Sequence, residues 1–215
     1  MELARLRAEG GDQEGAELLL AEVAEVGRPY VLIQLAGIRL ESGDPAEAER
    51  LLTAAADEGP PEATRMLAHF RKHFGHPEEA MQLLLQAAYA GSTHAMLELL
   101  DHYHGSGEQA KVHELLDEFS ESSDPFTLIE LAIFCQEARE PIAADLLLTQ
   151  ACVGDDAYAL LKASSLRMEG GNEELSEQLL RRAADIGDWG DEIPDEFAAM
   201  WPFGLDADGT PTPPW

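Results

Sequence analysis

The stretch GDPAEAERLLTAAADEG, Gly43 to Gly59, decides the fold. It opens on a glycine, which tolerates the left-handed conformation that ends a helix. Asp44 has the short acceptor side chain of an N-cap, and Pro45 suits the first helical position. Ala48, Leu51, Leu52 and Ala55 then recur at helical spacing as an apolar stripe. Gly59 stops the helix. The same logic predicts a preceding helix over Tyr30 to Glu41, turned by Ser42-Gly43-Asp44. One such hairpin cannot bury its stripe alone and needs neighbours to stack on.

The neighbours are written into the chain at a step of 32 residues. Gly11-Asp12 becomes Gly43-Asp44, Gly75-His76, Gly107-Glu108, then Arg139-Glu140, where the glycine is lost, and Gly171-Asn172. Ala16, Ala48, Ala80, Val112, Ala144 and Ser176 share one compact position. The double leucine is stricter: Leu19-Leu20, Leu51-Leu52, Leu83-Leu84, Leu115-Leu116, Leu147-Leu148 and Leu179-Leu180. A further punctuation mark falls at Gly27, Gly59, Gly91, Ser123, Asp155 and Gly187, and no insertion interrupts the six copies. The pattern predicts an all-α protein, an α-solenoid of about six stacked helix-turn-helix repeats over residues 1–190. A C-terminal capping segment is expected over 191–215. Pro194-Asp195-Glu196 suits a helix start, and Phe197, Met200, Trp201 and Phe203 supply apolar bulk to cover the last repeat. Pro211 to Trp215 reads as an extended or disordered Pro-rich tail. Met1 enters the first repeat part-way along a helix, near Leu3-Ala4, the match of Leu35-Ala36. That first repeat is therefore incomplete. Either its helix is frayed or the chain continues something longer.

The pattern LA…GD…A…LL…A…G resembles tetratricopeptide-type repeats, including the shorter-looped variety abundant in actinobacterial proteins, over about residues 1–190. The ending WPFGLDADGTPTPPW, Trp201 to Trp215, resembles the tail of such bacterial proteins. Two features depart from the family. The step is 32 residues against about 34 in the usual repeat. The large aromatics usual in the first helix of each repeat, helix A, are mostly missing, so packing rests on Leu and Ala.

The resemblance implies a right-handed superhelix and a scaffold that binds a protein or peptide along a concave face lined by helix A. Carried over column by column, that groove takes Tyr30, Arg65, His69, Lys72, His73, His94, Leu97, Asp101, His104, Phe126, Ile129, Ile133, Tyr158 and Leu161. Its third and fourth copies are polar and histidine-rich. Its later copies are apolar, which suits an amphipathic partner. The alternative is that some of these side chains pack between adjacent helices.

All seven histidines lie between His69 and His113. In AHFRKHFGHPEEA, Ala68 to Ala80, His69 and His73 stand one helical turn apart. Asp101 and His104 do the same on the next helix A. Neighbouring helices pack about 8–10 Å apart, so these four residues would suit tetrahedral Zn or another transition metal. That reading makes the chain a metal-dependent enzyme or sensor. Against it, no HExxH occurs and no Cys joins the cluster. A pH-sensitive patch is a further reading, since clustered His can titrate near neutrality. Ordinary groove histidines are the plain one.

Composition narrows the partners. With 42 acidic and 14 basic residues the formal charge is −28, which repels phosphate and anionic membrane surfaces. Direct nucleic-acid or membrane binding is not expected, and a basic partner segment is. A third reading is a nucleic-acid mimic, its carboxylates occupying a DNA-binding protein. No basic leader precedes an apolar run, and no apolar stretch approaches a membrane span, so a cytoplasmic protein is expected. Cys135 and Cys152 form no CxxC and read as reduced structural thiols. No GxSxG, P-loop or dinucleotide fingerprint occurs, and AEGGD and MEGGN are helix-ending turns rather than phosphate cradles. Nothing in the sequence favours catalysis.

Overall fold

The computed structural model describes residues 7, 10, 12–154 and 156–186. Among them the chain is helix and turn, with ten helices and no strand. The start of the first repeat and the expected 191–215 cap lie outside the described residues. The chain groups into two compact units, residues 1–112 and 113–215. The first holds α1 (Gln13–Glu41), α2 (Pro45–Asp57), α3 (Pro61–His73), α4 (Pro77–Tyr89) and α5 (Thr93–Ser106). The division falls inside α6 (Gln109–Ser122). The second unit continues with α7 (Pro125–Glu137), α8 (Pro141–Ala151), α9 (Ala157–Glu169) and α10 (Glu173–Ile186). In the first unit α1 pairs with α2 and α3 with α4, while α2 on α3 and α4 on α5 join successive hairpins. In the second, α7 pairs with α8 and α9 with α10, and α9 also meets α7 and α8.

Among the described residues the hairpin turns are one motif used five times. Gly43, Gly75, Gly107 and Gly171 take φ of 78°, 88°, 80° and 79°, and Arg139 joins them at 62°. After each, the next residue's N–H donates to the carbonyl five residues back: Asp44 to Arg39, His76 to Arg71, Glu108 to Tyr103, Glu140 to Cys135, Asn172 to Arg167. This is the Schellman closure, which satisfies helix-end carbonyls that would otherwise lack a partner. Three of the opposite joints are capped by side chains, and the one before α3 by none, its N-cap being Pro60. Ser92, Asp124 and Asp156 accept from backbone N–H groups in the first turns of α5, α7 and α9.

One expected boundary is absent. The sequence predicts a break at Gly27 and a fresh helix from Tyr30, yet α1 runs unbroken for 29 residues with Pro29 inside it. The cap column explains the difference. Its later members are Ser92, Asp124 and Asp156, which cap, and Pro60, which starts a helix as part of a Pro60-Pro61 pair. The first copy has Arg28-Pro29, with neither an acceptor nor consecutive prolines.

The core follows the ruler. Leu52, Leu84, Leu116, Leu148 and Leu180 are all buried, and so are Ala48, Ala80, Val112, Ala144 and Ser176. The first leucine of each pair varies more: Leu51, Leu115 and Leu147 are buried, whereas Leu83 and Leu179 are half-buried. Ser176 stands where the other copies have an apolar residue. Its hydroxyl donates to the Ser164 carbonyl at 3.0 Å, and the Ser164 hydroxyl returns a bond to the Ser176 carbonyl at 2.9 Å. Both polar groups are thus satisfied inside the core.

Candidate functional site

In the first unit, helix A residues of α3 and α5 form a charged cluster. The Arg65 guanidinium donates to both Glu62 oxygens at 2.9 and 2.6 Å and to Glu98 Oε1 at 2.6 Å. His69 Nε2 lies 2.9 Å from a Glu98 carboxylate oxygen and 3.1 Å from Arg65 Nη1. The hydrogen bond with Arg65 holds the Glu62 carboxyl below the usual carboxylate range, and the bond to Glu62 raises Arg65 further above its ordinary value.

The expected metal quartet does not assemble. His69 faces Glu98 and a permanent cation rather than Asp101. The His73 ring stands edge-on to Phe74 at 5.0 Å, and His104 Nδ1 lies 3.1 Å from Gln109 Nε2. Asp101 lines a cavity with Lys72, Met81 and His102. Among the described residues no three His, Cys, Asp or Glu side chains group so as to hold a metal ion. The physical reason is register: α5 presents Glu98, one turn before Asp101, to the face carrying His69. The signal was in the sequence, because Arg65 and Glu98 lie one repeat plus one residue apart.

In the second unit the helix A face is apolar and partly open. The Phe126 and Tyr158 rings, one repeat apart, stack with centroids 6.4 Å apart and an interplanar angle of 24°. They remain 51% and 49% exposed, and Lys162 Nζ sits 5.6 Å from the Tyr158 ring centroid. Ile129 and Leu161, expected in the groove, are only 3% and 4% exposed and belong to the core. On α7 and α9 these positions turn between the hairpins, so the apolar surface is narrower than its column suggested. Ile133 is half-buried. Tyr30, Lys72, His73, His94 and Asp101 are exposed, and Leu97 and His104 half-buried.

The two cysteines are buried and free. Burial, with the Glu140 charge adding to it, pushes the Cys135 thiol up to about 12. Burial likewise raises Cys152. Neither is poised as a thiolate nucleophile. Among the described residues no helix is long and apolar enough to cross a membrane.

No protein-family model matches the chain, and no curated protein matches it in sequence. Solved structures are similar in part. A crystal structure of MamA is 12% identical, covering 86% of this chain and 94% of that one, with a TM-score of 0.35. The C-terminal part of a TPR repeat-containing protein from Cytophaga hutchinsonii is 11% identical over 94% and 86%, with a TM-score of 0.45. A Sel1 repeat protein from Oxalobacter formigenes is 15% identical over 93% and 89%, also with a TM-score of 0.45. Similarity at this level bears on neither partner nor reaction.

Proposed function

We propose that this chain is a helical-repeat binding module of tetratricopeptide type, whose helix A face takes a peptide or helix from a partner protein. The observation that carries the reading is the stacked Phe126–Tyr158 pair. Two large rings held half in water gain little for the core. Rigid aromatics of this kind are the usual anchors of a binding surface, because they supply contact area at low entropic cost. Lys162 over Tyr158 adds one fixed cation to an otherwise acidic protein. The partner segment therefore carries an apolar side chain for the pair, and basic residues around it to match the −28 charge.

The test is selection of a displayed peptide library on the whole chain, with a Phe126→Ser, Tyr158→Ser double variant as the counter-target. Thermal melting first checks that the double variant folds. Enriched peptides should share an apolar anchor flanked by Lys or Arg, and bind the variant at least roughly tenfold more weakly, as loss of an interface anchor does. No enrichment, or peptides that bind both proteins alike, would overturn this reading.

A further inference from the structure

The second unit contains a cavity of about 730 Å³ between the α7–α8 turn and the α9–α10 turn. Arg139, Leu148, Leu166, Arg167 and Gly170 are among the residues lining it. Its size falls in the range of small-molecule sites. Two features of its arginines need explaining.

Arg167 is only 8% exposed, and its Nε has no hydrogen-bond partner. Its Nη2 donates to Thr149 Oγ1 at 2.8 Å and lies 3.2 Å from Asp145 Oδ1. That nitrogen is enclosed by protein, so a ligand in the cavity acts on it through the rest of the guanidinium. Arg139 holds the left-handed position that glycine takes in the four other described copies, a strained conformation for a residue with a Cβ. Among the described residues its guanidinium has no partner.

The chain carries its own comparison three repeats earlier. Arg71 is the counterpart of Arg167, and there the guanidinium is bracketed by two carboxylates, Glu49 at 2.7 Å and Glu79 at 3.1 Å. Asp145 is the counterpart of Glu49, but Leu175 replaces Glu79. One carboxylate is therefore missing around Arg167. The space differs as well. Phe70 and Phe74, with ring centroids 4.4 Å apart, stand in the first unit where the second has Leu166 and Gly170. The aromatic filling is gone, a cavity remains in the second unit, and an extra arginine, Arg139, borders it where the first unit has Gly43.

We propose that this cavity binds a small organic monocarboxylate, its charge held between Arg167 and Arg139 and its apolar part against Leu148 and Leu166. A carboxylate reproduces what Glu79 supplies to Arg71, and a planar two-oxygen group matches a guanidinium fork. Asp145 and Glu169 also line the cavity and disfavour a second negative charge on the ligand. The site is separate from the Phe126–Tyr158 pair and does not depend on the peptide reading.

Benzoate is a suitable probe, with benzamide as its neutral counterpart, followed through the Arg Nε–H resonances of the whole protein. Benzoate should give a saturable shift of the Arg167 Nε–H, and benzamide at the same concentration should not. Arg139→Gly should weaken benzoate roughly tenfold, the size of a lost charge-assisted contact. The same substitution should raise the thermal midpoint by about 2–4 °C, because it relieves the strained turn. Gly170→Phe should abolish binding while leaving both arginines in place. Gly170 has an ordinary φ of −74°, and a Cβ there meets only carbonyl oxygens at 3.5 and 3.6 Å, so the variant can fold. Equal shifts with benzamide, no shift with benzoate, or unchanged affinity in a folded Gly170→Phe protein would each overturn the proposal.

Discussion

Asp124 shows how much one side chain settles at a joint. Its Oδ1 accepts from the Phe126 and Thr127 N–H groups at 2.9 and 3.2 Å, and its Oδ2 accepts from the Thr127 hydroxyl at 2.8 Å. Partial burial works to raise its pKa, but the bonds from Thr127 and Phe126 prevail and hold the carboxyl below the usual range. Asp124→Ala should therefore cost about 1 kcal/mol at neutral pH, the ordinary value of a lost N-cap. A depressed folded pKa contributes stability above the unfolded value and loses it as pH falls through the folded one. The gap between the urea midpoints of wild type and variant should accordingly be full at pH 7 and close below the ordinary Asp range. A gap that persists in acid would show that the cap acts through shape rather than charge. At this scale the glycine column and the caps were legible, because backbone conformation restricts which residues serve. Arg139 was legible only as a lost glycine. That it keeps the left-handed turn is decided by its neighbours, since the Glu140 N–H still closes onto the Cys135 carbonyl at 2.8 Å.

Elements inherit the ruler in their buried faces and depart from it where a joint lacks its cap. Leu52 is 3% exposed and Leu84 7% exposed, each on the stripe of a second hairpin helix. Leu52→Ala and Leu84→Ala should each cost about 2–5 kcal/mol, as buried deletions do. Leu83→Ala, at the half-buried member of its pair, should cost less. Denaturant midpoints for the three variants check this order, and equal effects at Leu83 and Leu84 would contradict the register. The ruler also extends to contacts that no motif announces. Gln150 Nε2 donates to the Ser120 carbonyl at 2.6 Å, and one repeat later Arg182 Nη1 donates to the Cys152 carbonyl at 2.7 Å. The donors differ chemically, so the sequence hid a conserved geometry: a long side chain closing the carbonyl at the end of the preceding hairpin. The expected metal quartet meets the same limit. Helical spacing sets His69 and His73 one turn apart on α3, but which turn of α5 meets His69 depends on packing, and packing chose Glu98. Likewise the Phe126–Tyr158 pair stood in the expected column, while Ile129 and Leu161, one turn on, went into the core.

For the whole molecule, periodicity and charge act at different ranges. In stacked repeats each hairpin meets only its neighbours, so a repeat pattern holds no signal for where a chain groups into units. The grouping into residues 1–112 and 113–215 could not be read from six uninterrupted copies. Charge, by contrast, is additive over the chain and visible in composition. A formal −28 on 215 residues repels itself in the folded state, and that repulsion is long-ranged. Opposing it are short ion pairs such as Arg50–Glu47 and Arg181–Glu177, exposed to solvent and therefore weak. Salt weakens both, but a screening length of about 8 Å at physiological ionic strength removes more of the distant repulsion than of contacts near 3 Å. Raising NaCl from a low level to a physiological one should therefore increase the urea midpoint. Chloride is the salt to use, since sulfate strengthens apolar burial by a separate route. A midpoint that falls with NaCl would mean that local ion pairs, with the Arg65–Glu62–Glu98 cluster the first to examine, outweigh the net charge.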